Sequence, residues 1–184
     1  GLHWFVIHER RGRGLASVEH LEHHADVTYS SPASKKLASA TGTTVVTYPL
    51  VASIAGRRWA IAFTGGLLAM YSGYEVAHRR THTHPPTNSY SRWARRNHLH
   101  HHFGAPMRNF GVTSPVWDQV FGTDDEPGVV TVARRMAPTW MLDDAGDVRT
   151  EFAADYTVRG ARQTEASDAK NDRDHAFANI APKA

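Results

Sequence analysis

Histidines are the residues of this chain whose type and spacing could do chemistry. Thirteen of the 184 residues are histidine, and twelve of these lie within residues 3–102. Neutral imidazole is a ligand that suits iron, zinc, copper and nickel. The chain contains no cysteine, which excludes Cys-ligated iron–sulfur clusters, a haem-thiolate site, a cysteine nucleophile and structural disulfides. The first hypothesis is therefore a metal centre built from imidazoles.

Two histidine clusters share an HxxHH pattern. They are His20-Leu-Glu-His23-His24 and His98-Leu-His-His101-His102. On a helix, residues at offsets of 0, 3 and 4 lie on one face, so the three imidazoles of each cluster can point at one metal cluster. A solvated surface or a tag-like tract would also be rich in histidine, but a tag is contiguous and these clusters are dispersed.

Two further histidine pairs complete the pattern. His78 and His82 are four residues apart and share one face of a helix. His3 and His8 are five residues apart, which corresponds to about 140° on an ideal helix. The second pair therefore either reaches two different metals or needs a local distortion of the helix.

Two apolar stretches lie between His24, the last residue of the first HxxHH cluster, and His78. Residues 37–56 contain no charge, residues 59–77 contain only Glu75, and a short basic turn, Arg57-Arg58, lies between the stretches. A helix of about 20 residues spans about 30 Å, the thickness of a bilayer core. The pattern predicts a transmembrane helical hairpin over residues 37–77. Because residues 37–56 also contain Ser, Thr and Pro, a buried hairpin of a soluble protein and a re-entrant hairpin remain open.

The expected fold is all-α, with the membrane hairpin carrying a cytoplasmic helical cap that is rich in histidine. Basic residues flank the hairpin, and the positive-inside rule favours the cytoplasm for them. Residues 1–123 form the predicted di-metal domain. Residues 124–184 have few large apolar residues and are expected to be a polar, partly disordered extension. Because the histidine pattern starts at the third residue, we expect a further segment before residue 1.

Charge is distributed unevenly along the chain. Residues 1–142 have a net charge of +6 and residues 143–184 a net charge of −3. A basic surface on the first part suits anionic lipid headgroups or an acidic protein partner. The overall charge of +3 gives no reason to expect nucleic acid as a partner.

The four histidine clusters, together with a fifth block, resemble the fatty acid hydroxylase/sterol desaturase superfamily of integral membrane di-metal enzymes. The fifth block, Phe110-Gly-Val-Thr-Ser-Pro-Val-Trp-Asp-Gln-Val-Phe-Gly-Thr123, looks like the closing motif of that family. The resemblance covers residues 1–123 and implies that ten histidines hold two irons. By their positions in the motifs, these are His3, His8, His20, His23, His24, His78, His82, His98, His101 and His102. The resemblance also implies further membrane helices before residue 1, because members of the family usually have such helices before the first histidine pair.

The resemblance also implies an activity. Members of this superfamily use O2 to hydroxylate or desaturate a C–H bond of a membrane lipid such as a fatty acyl chain, sterol or carotenoid, and the resemblance implies the same for this chain. The implied cofactors are two Fe ions, which zinc can replace in a recombinant protein, with O2 as cosubstrate. The implied partners are the lipid, the bilayer and a separate electron donor resembling a ferredoxin or cytochrome b5. We expect an integral membrane protein. If it is bacterial, it lies in the cytoplasmic membrane with the metal site on the cytoplasmic side.

Five charged residues are assigned supporting roles. We expect Glu75 and Asp118 to orient ligand histidines, although Asp118 suits a purely structural cap equally well. Residues 75–78 form the chain's one ExxH sequence, whereas a ferritin-like carboxylate centre needs two. The acidic electron donor is expected to dock on a basic face presenting Arg92, Arg95 and Arg96.

A second class of function remains as an alternative. A histidine-rich membrane protein could bind or transport Zn or Ni without redox chemistry. Such a protein needs the hairpin and the histidines but has no use for the Trp117-Asp118 block. Three histidines are expected to lie outside any metal site, namely His84, His100 and His175.

Overall fold

The structure of the protein, a computed structural model, describes residues 3–183 and is mostly helical. A π-helix covers His3–His8 and is followed by four α-helices: α1, Leu15–Ala25; α2, Ala33–Ala55; α3, Arg57–Thr83; and α4, Ser89–Phe103. Beyond these lie α5, Val116–Phe121; β1, Val130–Ala133; β2, Tyr156–Arg159; and α6, Ala166–Phe177. Short 3-10 turns at Arg134–Met136, Thr139–Met141 and Thr150–Phe152 connect the two strands.

These elements belong to two compact units. One unit, Ser31–Ala77, contains α2 and most of α3. The other, which we call the histidine unit, combines the residues before it with the residues from His78 onward. All ten histidines of the predicted site therefore belong to one unit.

Within the unit Ser31–Ala77, two helices follow each other through Gly56, whose φ of +87° is a left-handed conformation that suits glycine. The hydroxyl oxygens of Thr47 and Thr64 lie 3.3 Å apart, so α2 and α3 pack side by side at that level. None of the α2 side chains is buried, and Ile54 is 78% exposed. Among the described residues, α2 alone has the length and mean hydropathy, 1.2, of a membrane span. The predicted transmembrane hairpin stays a prediction.

The histidine unit contains a two-stranded parallel sheet, which the all-α expectation missed. Val130 of β1 is paired with Tyr156 of β2. Each strand has only four residues, too few for a clear alternating pattern. Valine, threonine and tyrosine nevertheless favour a pleated, half-buried surface, and these residue types supply most of both strands.

The hydrophobic core of the histidine unit depends on the C-terminal extension. The sequence predicts that residues 124–184 are partly disordered, whereas residues up to 183 contribute strands, a helix and most of this core in the structure. Arg135 forms an ion pair with Asp172 of α6 at 2.6 Å, and the two side chains are only 8% and 3% exposed. The apolar residues of the extension occur in runs of at most three within a polar segment, so its overall composition concealed this core. Its members are Val27, Leu99, Phe103, Val130, Val132, Ala133, Met136, Trp140, Met141, Phe152 and Tyr156.

Candidate metal centre

Ten histidine side chains converge in two groups of five. In each group the nitrogen atoms that could bind a metal lie within 4.8 Å of one another. Group 1 consists of His3, His8, His20, His24 and His101, and group 2 of His23, His78, His82, His98 and His102. These are the ten histidines that the sequence predicts as ligands, and their role as ligands stays a prediction. His84, His100 and His175 belong to neither group.

Helical geometry explains how the groups are composed. Residues four apart on an α-helix differ by about 40° around its axis, whereas the residue three positions on lies about 60° to the other side. Within the first HxxHH cluster, His20 and His24 accordingly belong to group 1 and His23 to group 2. The cluster on α4 has the reverse arrangement, with His101 in group 1. Each group thus combines two histidines of one cluster with the central histidine of the other.

The π-helix accounts for the pair that is spaced by five residues. The Glu9 amide donates to the Trp4 carbonyl at 3.0 Å, a bond that spans five residues. This wider turn brings His3 and His8 to the same side, and both belong to group 1. Of the two alternatives that the sequence left open, a local distortion of the helix is the one found.

Hydrogen bonds to backbone carbonyls determine which ring nitrogens of group 1 carry hydrogen. Nδ1 of His3 donates to the Phe110 carbonyl at 2.6 Å, and Nδ1 of His101 donates to the Arg108 carbonyl at 2.7 Å. Because a carbonyl only accepts, Nδ1 carries the hydrogen in both rings and Nε2 keeps its lone pair. Nε2 of His101 is buried, with no hydrogen-bond partner in the described part of the chain.

The Nε2 atoms of group 1 face one another. Nε2 of His20 lies 2.8 Å from Nε2 of His3 and 3.1 Å from Nε2 of His8 and of His24. A single ring hydrogen on His20 can be donated to only one of these three atoms. Two nitrogens that are each about 2.1 Å from one ion and at right angles to each other lie about 3.0 Å apart. Group 1 therefore fits a divalent cation of the kind that imidazole binds.

The Nε2 atoms of group 2 also face one another, here around the ring of His98. Nε2 of His98 lies 2.9 Å from Nε2 of His82 and 3.1 Å from Nε2 of His102. Nδ1 of His23 donates to the Tyr29 carbonyl at 3.1 Å, so its Nε2, 3.1 Å from Nε2 of His82, keeps a lone pair. The donor set of group 2 fits the same kind of cation.

Burial favours the neutral form, which binds metals, in nine of the ten imidazoles. Burial, with a smaller contribution from the neighbouring His8, lowers the pKa of His3 to about 3. Burial also lowers the pKa of His8 to about 4, although a hydrogen bond with Asn179 opposes the shift. The same cause, reinforced by neighbouring imidazoles, lowers the pKa well below the usual 6.5 for His20, His24, His78, His82, His98, His101 and His102.

Asp118 organises the backbone that supports His3. Its carboxylate is 2% exposed and accepts hydrogen bonds from the Phe110 amide at 2.9 Å, the Gly111 amide at 2.7 Å and the Thr123 hydroxyl at 2.7 Å. The carbonyl of the same Phe110 accepts the hydrogen bond from Nδ1 of His3. An orienting effect of Asp118 would therefore act through the backbone rather than through contact with an imidazole, and it stays a prediction.

Glu75 has a partner within its own unit. Its carboxylate forms an ion pair with Lys36 at 2.6 Å, and the two side chains are 28% and 34% exposed. This pair connects the first turn of α2 with the later part of α3. The predicted role of Glu75 in orienting a ligand histidine stays a prediction.

The proposed docking face needs a correction. Arg95 is only 6% exposed, and its guanidinium donates to the backbone carbonyl of His84 at 2.7 Å, just beyond the end of α3. The expectation that Arg95 presents its charge to an electron donor is therefore wrong, because a donor cannot reach a buried guanidinium. Arg92 and Arg96 both lie near Asp155 of the extension, at 2.5 and 3.6 Å.

These features define a mostly helical protein whose histidine centre is compatible with iron binding. The chain belongs to the fatty acid hydroxylase family, whose family model matches residues 1–123. No solved structure matches the chain.

Relatives of the chain carry names of lipid hydroxylases. Two dihydroceramide fatty acyl 2-hydroxylases of Arabidopsis thaliana are 29% identical over 138 residues and 30% identical over 126 residues, or 73% and 66% of this chain. A ceramide very long chain fatty acid hydroxylase of Saccharomyces cerevisiae is 40% identical over 77 residues, or 41% of this chain. The alignments cover 57% and 53% of the two plant proteins and 20% of the yeast protein. The chain thus spans about half the length of its plant relatives.

Proposed function

We propose that this chain provides the di-iron centre of a membrane lipid hydroxylase. The observation that carries the proposal is the convergence of ten imidazoles into two groups of five, all within the segment that matches the family. Group 1 and group 2 would each hold one ion. Two irons held there would supply the O2-activating redox chemistry that an unactivated C–H bond requires.

The proposed substrate is the fatty acyl chain of a ceramide-type lipid. This proposal rests on the names of the relatives, which are ceramide and dihydroceramide fatty acyl hydroxylases. In the reaction, one oxygen atom of O2 enters a C–H bond and the other leaves as water, with two electrons and two protons consumed. The electrons would come from a separate donor protein resembling a ferredoxin or cytochrome b5.

Residues of the chain itself would keep the ligands in place. The carbonyls of Phe110, Arg108 and Tyr29 each accept a hydrogen bond from Nδ1 of a histidine. Such hydrogen bonds set the tautomer and the rotation of the ring, so Nε2 remains available to a metal. Low pKa values keep the rings of His3 and His101 unprotonated at neutral pH, and their burial limits the access of water to the centre.

We also propose that α2 and the first part of α3 enter the bilayer as a hairpin. With 23 residues, α2 is about 35 Å long, enough for a hydrocarbon core of about 30 Å. Large apolar side chains on these helices are exposed, among them Val46, Ile54, Ile61 and Phe63. Lipid is the solvent in which such exposure is favourable. The basic residues that flank the hairpin support a cytoplasmic location for the histidines.

Metal replacement together with lipid analysis tests the proposed function. Cells with and without the gene are compared for 2-hydroxylated acyl chains by mass spectrometry, and purified protein is loaded with iron or with zinc. We expect hydroxylated lipid only with the gene, and turnover with O2 and a reductant only with iron. An iron-loaded protein that binds two ions but oxidises no lipid would contradict the proposal.

The alternative, a protein that binds or transports Zn or Ni without redox chemistry, makes the opposite prediction. Cells carrying the gene would change in their zinc or nickel content and would not change in their hydroxylated lipids. The family and the names of the relatives favour the hydroxylase.

A further inference from the structure

The residues that follow the family match return to the metal centre. Asn179 lies two residues after the end of α6, and its side chain contacts His8, 171 positions earlier in the chain. Oδ1 of Asn179 is 2.8 Å from Nδ1 of His8, and Nδ2 of Asn179 donates to the His8 carbonyl at 3.2 Å. The His8 residue is completely buried. An amide from the extension therefore holds both the ring and the backbone of a group 1 histidine.

These two contacts together determine where the hydrogens lie. The backbone carbonyl of His8 only accepts, so the NH2 of Asn179 must face it and Oδ1 must face the ring. Since Oδ1 also only accepts, Nδ1 of His8 carries the ring hydrogen and Nε2 keeps the lone pair. Nε2 of His8 lies inside group 1, 3.1 Å from Nε2 of His20.

We propose that Asn179 is a positioning residue that sets the tautomer and rotation of His8, so that Nε2 of His8 binds the ion of group 1. This inference rests on the proposed function, because it assumes an ion in group 1. For the rings of His3 and His101, backbone carbonyls of the family segment perform the same task. For His8, a side chain outside the family match performs it.

Asn179 is held in place from both sides. Its φ of +58° is left-handed, a conformation that Gly, Asn and Asp adopt more easily than other residues. Before it, Asp172 of α6 forms the buried ion pair with Arg135, and after it, the Lys183 carbonyl accepts from the same guanidinium at 3.1 Å. Arg135 thus contacts the chain on both sides of Asn179. The position of the Asn179 amide therefore does not depend on α6 alone.

Two substitutions separate the side chain of Asn179 from its backbone. Asn179→Gly keeps the left-handed backbone and removes the amide. Asn179→Asp also suits that backbone and keeps an oxygen that accepts from Nδ1 of His8, while it loses the donor to the carbonyl. Loss of an outer hydrogen-bond partner of a ligand histidine weakens metal binding by about 10–100-fold. The Gly variant should show this loss in full. The Asp variant should show a smaller loss, because its oxygen still accepts from Nδ1 of His8 although its second oxygen faces the His8 carbonyl.

The test measures the release of zinc from the full chain to a coloured chelator. Zinc binds imidazole and is redox-silent, so the readout does not depend on hydroxylase activity. The unmodified protein should release two ions per chain. In Asn179→Gly, one of the two should leave about 10–100-fold faster while the other keeps its rate, and in Asn179→Asp that ion should leave more slowly than in Asn179→Gly. Circular dichroism of each metal-free variant checks that the fold is retained.

The possible outcomes separate the inference from the proposed function. Unchanged release in Asn179→Gly would overturn the positioning role. An equal acceleration in the Gly and Asp variants would also overturn it, because release would then not depend on the oxygen that accepts from Nδ1 of His8. Faster release of both ions in Asn179→Gly would also overturn it, since the contact is made with group 1 alone. An unmodified protein that binds no zinc, iron or other divalent ion would instead refute the proposed function.

Discussion

Replacing Asp118 with asparagine should destabilise the protein and loosen the support of His3. The buried carboxylate accepts three hydrogen bonds, two of them from the backbone amides of Phe110 and Gly111. An asparagine amide has only one acceptor oxygen, so one backbone N–H would face an NH2 group. A hydrogen bond to a charged group contributes about 1.5–3 kcal/mol, and a buried donor left without a partner costs about 1–3 kcal/mol. We expect Asp118→Asn to lower the free energy of unfolding by about 2–4 kcal/mol.

Thermal unfolding in detergent, followed by circular dichroism, measures this effect. A loss of this size should lower the melting temperature by roughly 5–15 °C for a chain of this length. The matched control is Asp125→Asn, since Asp125 is on the same segment and its side chain is 51% exposed in a pair with His100. Exposed pairs contribute at most about 1 kcal/mol. A similar shift in both variants, or no shift in Asp118→Asn, would refute the reasoning.

Three further predictions concern the centre and its reductant. His101→Ala should abolish hydroxylation and lower the metal content, whereas His100→Ala, its neighbour outside both groups, should preserve both; lipid mass spectrometry and metal analysis compare the two variants. The metal-free protein should lose stability as the pH falls from about 6.5 towards 4. In the folded chain, burial lowers the pKa of His3 to about 3 and of His8 to about 4. The unfolded chain regains ordinary imidazole pKa values and therefore binds more protons than the folded chain in this pH range. Urea titrations at several pH values would contradict this if stability stayed constant. Turnover with a protein electron donor should fall between 0.1 M and 1 M salt, as the Debye length shrinks from about 10 Å to about 3 Å, while turnover driven by peroxide should not change; equal salt dependence of both rates would argue against electrostatic docking.

Periodicity predicts which histidines of one cluster share a helix face, whereas the set of ten comes from the resemblance of the motifs to the family. Offsets of three and four residues place side chains on one face of a helix wherever the helix packs, and His20–His24 and His98–His102 follow this rule. Division of the histidines between two groups was also present in the offsets, because residues four apart are closer around the axis than residues three apart. A prediction of one set of three imidazoles for each HxxHH cluster misses this division.

Local backbone geometry limited the interpretation of His3–His8. A spacing of five places two side chains far apart on an α-helix, and nothing in the residue types of this segment indicates a π-helix. The apolar stretches were easier to interpret, because a run of about 20 residues with almost no charge favours a long helix in any environment. Residues 37–55 accordingly lie within α2, which begins at Ala33, and Gly56 lies just beyond its end. Residues 59–77 lie within α3.

The family match ends at residue 123, but the physical unit that holds the histidines does not. Leu99 and Phe103 of α4, the helix that carries the second HxxHH cluster, pack in one core with residues from β1 and β2. Trp140, beyond the match, donates from its indole to the His82 carbonyl at 3.2 Å, and Asn179 contacts His8. The extension therefore reaches one histidine of each group. Motif positions identify the candidate ligands, but the hydrogen bonds that hold these two histidines come from residues that no motif of the family segment contains.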